Sequence, residues 1–79
     1  MDHRIAEAFG RVLREAREEA GLSQEKLAFE SSIDRTFVSM LERGIRQPSL
    51  TTIFQLSEAL EISPEEVVAP TSKKLDRAL

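Results

Sequence analysis

Gln24 to Arg43 reads QEKLAFESSIDRTFVSMLER, and this stretch decides the fold. Its apolar positions are Leu27, Ala28, Ile33, Val38 and Leu41. Their spacing fits two short helices joined by Ser31-Ser32-Ile33, with the apolar sides facing inward. Ala28 suits a steep crossing, because helices at closest approach need a small residue. Ile33 is placed to plug the turn into the core. Ser23 precedes the first of these helices and Asp34 the second. Each is an N-cap whose side-chain oxygen accepts from free first-turn amides. The Asp34 carboxylate also suits the positive end of the helix dipole.

Burial of one side determines what the other side offers. With Val38 facing the core, steps of ~100° per residue put Leu41 and Glu42 near the inner side. Thr36, Ser39, Met40 and Arg43 then fall on the far side. Arg35 lies between, in the first turn, where a long side chain reaches forward. This outward face carries two arginines, two hydroxyls and no acid. Guanidinium groups match guanine edges or phosphates, and hydroxyls match either. Phe37, on the flank, has two readings: packing on a neighbouring helix, or contact with a thymine methyl or sugar.

Outward from this unit, the chain reads as three more helices. The first covers about Arg4 to Ala20, where Ile5, Ala8, Phe9, Val12, Leu13, Ala16 and Ala20 share one face. Gly21 ends it, and Gly44 ends the third. Pro48-Ser49 opens the fourth, with Ser49 as cap and Ile53, Leu56, Ala59 and Leu60 on its inner side. The fifth starts at Ser63-Pro64-Glu65-Glu66, where Ser63 and Glu66 make a capping box and Pro64 takes the first helical position. Leu22 with Leu27, Ile33 with Val38, and Ile62 with Val67 have the spacing of hydrophobic staples. Phe9 and Phe29 read as core. Pro70 is expected to stop the fifth helix.

The fold class is therefore all-α, a compact five-helix domain over residues 1–70 with a short basic tail over 71–79. That tail reads as frayed chain, or as a short extra helix or dimer contact. Period-2 alternation and Asn-Gly or Asp-Gly hairpins are missing.

The chain has 79 residues, enough for one domain with a modest core. It has no cysteine, which excludes disulfides and thiolate metal sites. Its net charge of −3 argues against nucleic acid when taken whole. The distribution says otherwise. Residues 31–49 carry +1, while residues 50–70 carry −4. The negative charge sits away from the middle segment. No apolar run approaches the roughly 20 residues that cross a bilayer, and the opening Met1-Asp2-His3-Arg4 has no apolar core of a signal peptide. A soluble, cytoplasmic protein is expected. His3 is the only histidine. It reads as solvated, with no partner set for a metal. Neighbouring acids such as Glu18-Glu19 and Glu65-Glu66 diverge on a helix, so no paired-carboxylate site forms. An enzyme is not expected, nor is any cofactor or small-molecule ligand.

Three stretches carry a family resemblance: LSQEKLA, DRTFVSMLERG and RQPSLTTIFQLSEALEIS. Together they resemble the helix-turn-helix of the lambdoid phage repressor and Cro family, also called the Xre family. The short chain and the Asp-Arg-Thr-Phe start of the third helix look most like controller proteins of restriction–modification systems. The resemblance implies that Arg35, Thr36 and Ser39 read base edges in the major groove. It implies that Gln24 binds a phosphate and braces the recognition helix. Arg43, Arg46, Gln47 and Ser49 lie where the family contacts backbone phosphates. Arg17 has two readings, a DNA contact or an internal ion pair with Glu42, and the resemblance favours the ion pair. The family often has glycine where this chain has Ser32.

One recognition helix offers three or four base-reading side chains, at ~1–3 kcal/mol for each good bidentate pair. A homodimer doubles that readout and fits a palindromic operator on double-stranded DNA. The expected dimer surface is on the fourth and fifth helices, with Ile62, Val67 and Val68. An alternative is a protein-binding adaptor or antitoxin-like module that presents the acidic helices.

Overall fold

The computed structural model describes residues 1–78, with side chains through Leu75. Five helices form among the described residues, and no strand. They are α1 (His3–Glu19), α2 (Gln24–Ser31), α3 (Arg35–Glu42), α4 (Leu50–Leu60) and α5 (Glu65–Ala78).

Caps set most of the boundaries. The Ser23 hydroxyl accepts from Lys26 N–H at 3.0 Å, and Ser49 from Thr52 N–H at 3.1 Å. The Asp34 carboxylate accepts from Thr36 N–H at 3.3 Å. Asp2 caps α1, accepting from Arg4 N–H at 2.9 Å, which the sequence reading missed. At α5 only one half of the expected box forms: Ser63 N–H donates to Glu66 Oε2 at 2.8 Å. The α5 helix itself begins at Glu65, one residue later than expected.

The core gathers Phe9, Val12 and Leu13 of α1 with Leu27, Val38, Leu41, Leu56, Leu60 and Val67. All three staple pairs join it, with Leu22, Ile33 and Ile62 half-buried at its edge. α1 packs on α3 and α5, and α2 packs on α3 and α4. Gly10 makes the α1–α3 contact possible. A Cβ there would lie 2.5 Å from the Leu41 carbonyl oxygen and 2.7 Å from that of Glu42. Any side chain at Gly10 would push the recognition helix away from α1.

Four expectations are corrected. The fifth helix does not stop at Pro70, which lies inside it. Proline there lacks the N–H that would reach the Glu66 carbonyl, and such a position ordinarily breaks a helix. Packing on α1 holds the following turns in place. Thr71 is buried and donates to the Val67 carbonyl at 2.7 Å. Lys74 Nζ meets Glu15 Oε2 at 3.5 Å. Residues 71–78 therefore extend α5 instead of fraying; Leu79 lies outside the described residues.

Phe29 is not core but 80% exposed. Leu27, Ala28 and Ser31 occupy the inner side of α2, and Phe29 falls opposite, with the Lys26 ammonium 5.9 Å above its ring. Ile5 and Ala20 are likewise exposed, at the two ends of the α1 stripe. Val67 cannot serve a dimer surface, because it is 1% exposed. Its staple with Ile62 turns both side chains toward the core, so of the expected dimer residues only Val68 stands out, at 50% exposure.

Among the described residues, two other than glycine adopt left-handed backbone. Ser32 and Glu61 both have φ of 58° and terminate α2 and α4. Ser32 thus occupies a conformation that favours glycine. Gly44, after α3, has φ of 74° and packs against Glu7 of α1, so it meets two requirements at once.

Candidate nucleic-acid interface

The recognition surface starts with how α3 is held. Val38 and Leu41 are fully buried, and Phe37 is half-buried and packs against the core. Arg35, Thr36 and Arg43 are exposed, and Ser39 and Met40 are half-exposed. The outward face expected from the helical step is therefore the one the fold presents. The Asp34 carboxylate, just before α3, is turned onto a first-turn amide.

A buried network fixes the other end of α3. Arg17 Nε donates to Glu42 Oε2 at 2.6 Å, and Arg17 Nη2 donates to Glu42 Oε1 at 3.1 Å. The two side chains are 12% and 3% exposed. Arg17 Nη1 also donates to the Leu22 carbonyl at 2.8 Å, tying the α1–α2 turn to the same group. The hydrogen bond from Arg17 to Glu42 raises the guanidinium pKa above its ordinary value, so the guanidinium stays charged. Arg17 thus stands as an internal ion pair, the role that the resemblance implied.

Gln24 Nε2 donates to Glu42 Oε1 at 3.1 Å. The first residue of α2 is thereby tied to the last residue of α3. Arg17, Ser23, Gln24, Glu25 and Arg35 line a shallow hollow between the two helices. Gln24 and Arg35, expected to meet a phosphate and a base, thus share one concavity.

The segment after α3 is anchored by its own backbone. Ile45 N–H donates to the Met40 carbonyl at 3.0 Å, and Gly44 N–H to that of Leu41 at 3.1 Å. Arg43, Arg46 and Gln47 remain exposed there. Gln47 Oε1 accepts from Asp2 N–H at 3.3 Å, so the start of α1 touches this loop. Ser49 is engaged as the α4 cap and also meets the Thr52 hydroxyl at 2.9 Å.

Sequence reasoning missed two residues that position the surface. Gly10 carried a signal, since an isolated glycine inside a strong helix marks a close approach. Asp2 carried one as well, as an N-cap type just before the apolar stripe. The contact between Asp2 and Gln47, 45 residues apart, left no local trace.

A helix-turn-helix family model matches residues 13–67, more than half of the chain. The chain belongs to the helix-turn-helix family. Its repressor-like fold recurs in proteins of known type. The chain is 41% identical over 69 residues to control protein C.BamHI of Bacillus amyloliquefaciens, covering 86% of this chain and 85% of that one. The restriction–modification controller protein C.AhdI of Aeromonas hydrophila superposes with a TM-score of 0.77 at 50% identity, over 78% of this chain and 94% of its own. The clp gene regulator ClgR of Corynebacterium glutamicum superposes with a TM-score of 0.84 at 28% identity, over 90% and 92% of the two chains. This helix-turn-helix chain is a DNA-binding protein of the transcription-regulator type. No helix among its described residues is long and apolar enough to cross a membrane.

Proposed function

We propose that this helix-turn-helix protein is a cytoplasmic, non-enzymatic regulator that binds a palindromic operator as a homodimer, as a restriction–modification controller. One observation carries the reading: α3 presents Arg35, Thr36, Ser39 and Arg43 on its outer side, free of acids. The Arg17–Glu42–Gln24 network holds that helix against α1 and α2. Arg35, Thr36 and Ser39 read base edges. Gln24, Arg43, Arg46, Gln47 and the start of α4 at Ser49 meet phosphates on either side. The acidic stretch 50–70 lies on α4 and α5, on the elements that do not enter the groove. Two recognition helices in a symmetric pair then fall about one turn, ~34 Å, apart along the duplex.

Footprinting on DNA upstream of the protein's own gene locates the operator. On that operator, Arg35→Ala lowers affinity by about 1–3 kcal/mol per protomer and relaxes choice at one base pair of each half-site. Gln24→Ala weakens binding evenly across sequences. Titration by fluorescence anisotropy reads both. Full specific affinity in both variants would refute the assignment.

A further inference from the structure

The N-cap of α1 carries a backbone donor that its own helix does not take up. Asp2 is fixed by three bonds into the helix. Its Oδ1 accepts from Arg4 N–H at 2.9 Å and from Ile5 N–H at 3.4 Å, and its carbonyl accepts from Ala6 N–H at 3.0 Å. In a complete capping box, a Glu or Gln three residues on takes the N–H of the cap residue. Helix α5 does this locally, where Ser63 N–H donates to Glu66. In α1 the residue three on is Ile5, whose side chain has no acceptor. Gln47 supplies the acceptor instead, from the loop between α3 and α4.

Packing sets that loop against the same end of α1. Ile5, Phe9, Gln47, Pro48, Ile53 and Val68 line one apolar cleft of about 170 Å3 between α1, α4 and α5. The chemistry of the amide then decides which arm of Gln47 is engaged. A backbone N–H only donates, so the atom that meets Asp2 at 3.3 Å is the oxygen Oε1. The exposed side chain is left with Nε2, and its two donors, for an outside partner. Phosphate oxygens accept, so Nε2 is the arm that suits them.

Resting on the reading of Gln47 as a phosphate contact, the geometry points to Asp2 as a positioning residue for DNA binding. Asp2 completes the α1 cap through Gln47, and the same bond holds the Gln47 amide with its donor arm set for a phosphate. Ordering a long side chain on binding ordinarily costs affinity. Here folding has already imposed much of that order. The start of the first helix thus acts on the duplex without touching it.

Operator titrations of Asp2→Ala, Gln47→Ala and the double variant form a cycle that tests this. Asp2→Ala removes the cap and loosens the N–H that holds Gln47. Its affinity should fall about two- to tenfold per protomer, the range for releasing one long side chain. In the Gln47→Ala background the same substitution should cost less than about twofold. The Tm should fall with the lost cap in both backgrounds, so a purely structural role gives no such coupling in affinity. Asp2→Asn keeps a capping oxygen and the N–H, and should restore wild-type binding. An affinity loss that persists undiminished without Gln47 makes Asp2 a cap alone and overturns the inference. Wild-type affinity in Asp2→Ala does the same, as does tighter binding in both Asp2 variants, which would make the carboxylate a repelling charge. Full affinity in Gln47→Ala removes Gln47 from the phosphate contacts, and then the underlying reading fails together with the inference.

Discussion

Glu42 concentrates the energetics of the recognition surface into one carboxylate. It is 3% exposed and accepts from both Arg17 and Gln24. Arg17→Met leaves that carboxylate with Gln24 as its one remaining side-chain donor. Removing one partner of a buried pair costs about 3–5 kcal/mol, and urea unfolding should show a loss of that order. Adding Glu42→Leu should recover most of the stability, because an apolar pair of similar volume replaces the ions. DNA affinity should stay low in the double variant, since Gln24 has lost its brace. Ser32 lies at the opposite extreme. Its left-handed backbone has no compensating side-chain bond, so Ser32→Gly should stabilise the protein by up to about 1 kcal/mol. Operator affinity should not change, and chemical denaturation together with a binding titration checks both halves.

The element that departs furthest from expectation is α5. Pro70 removes one backbone hydrogen bond and should have ended the helix, yet eight further residues follow it in helical form. Local propensity loses here to packing against α1, through buried Thr71 and the Lys74–Glu15 pair. A chain truncated after Pro70 should lose at least about 1 kcal/mol. In a domain of this size that is a fall in Tm of about 4–8 °C, readable by circular dichroism. Helices α2 and α3 show the opposite balance. Each has eight residues, too short to persist alone, and each is preceded by a residue whose capping role was legible from its type. Their existence was readable in the sequence. The exposure of Phe29 was readable too: beside Leu27 and Ala28 the helical step puts it outside, and counting it as core rested on residue type instead of phase.

At the scale of the whole molecule, charge is segregated. The acids of residues 50–70 lie on α4, α5 and the turn between them, while Arg35, Arg43 and Arg46 lie on α3 and the loop that follows. A negative protein can therefore dock on a polyanion, because screening confines repulsion to roughly 8–10 Å at ordinary ionic strength. The logarithm of operator affinity should fall linearly with the logarithm of salt concentration. Arg46→Ala should make that slope shallower by about 2 in a dimer, as each copy gives up one phosphate contact. An unchanged slope would place Arg46 away from the backbone.

The all-α class, five helix starts near their caps and the polar side of the recognition helix were all contained in the order of residues. Capping and helical phase act within a turn or two of chain, so neighbouring residue types suffice to state them. Which apolar side chains ended inside was decided elsewhere. Val67 went in, Ile5 stayed at the rim, and α5 passed through its proline because of what α1 and α4 present to them. The meeting of Asp2 with Gln47, and the shared cleft behind that loop, likewise exist only once distant helices pack. Burial is a property of two surfaces in contact, and one-dimensional order specifies only one of them at a time.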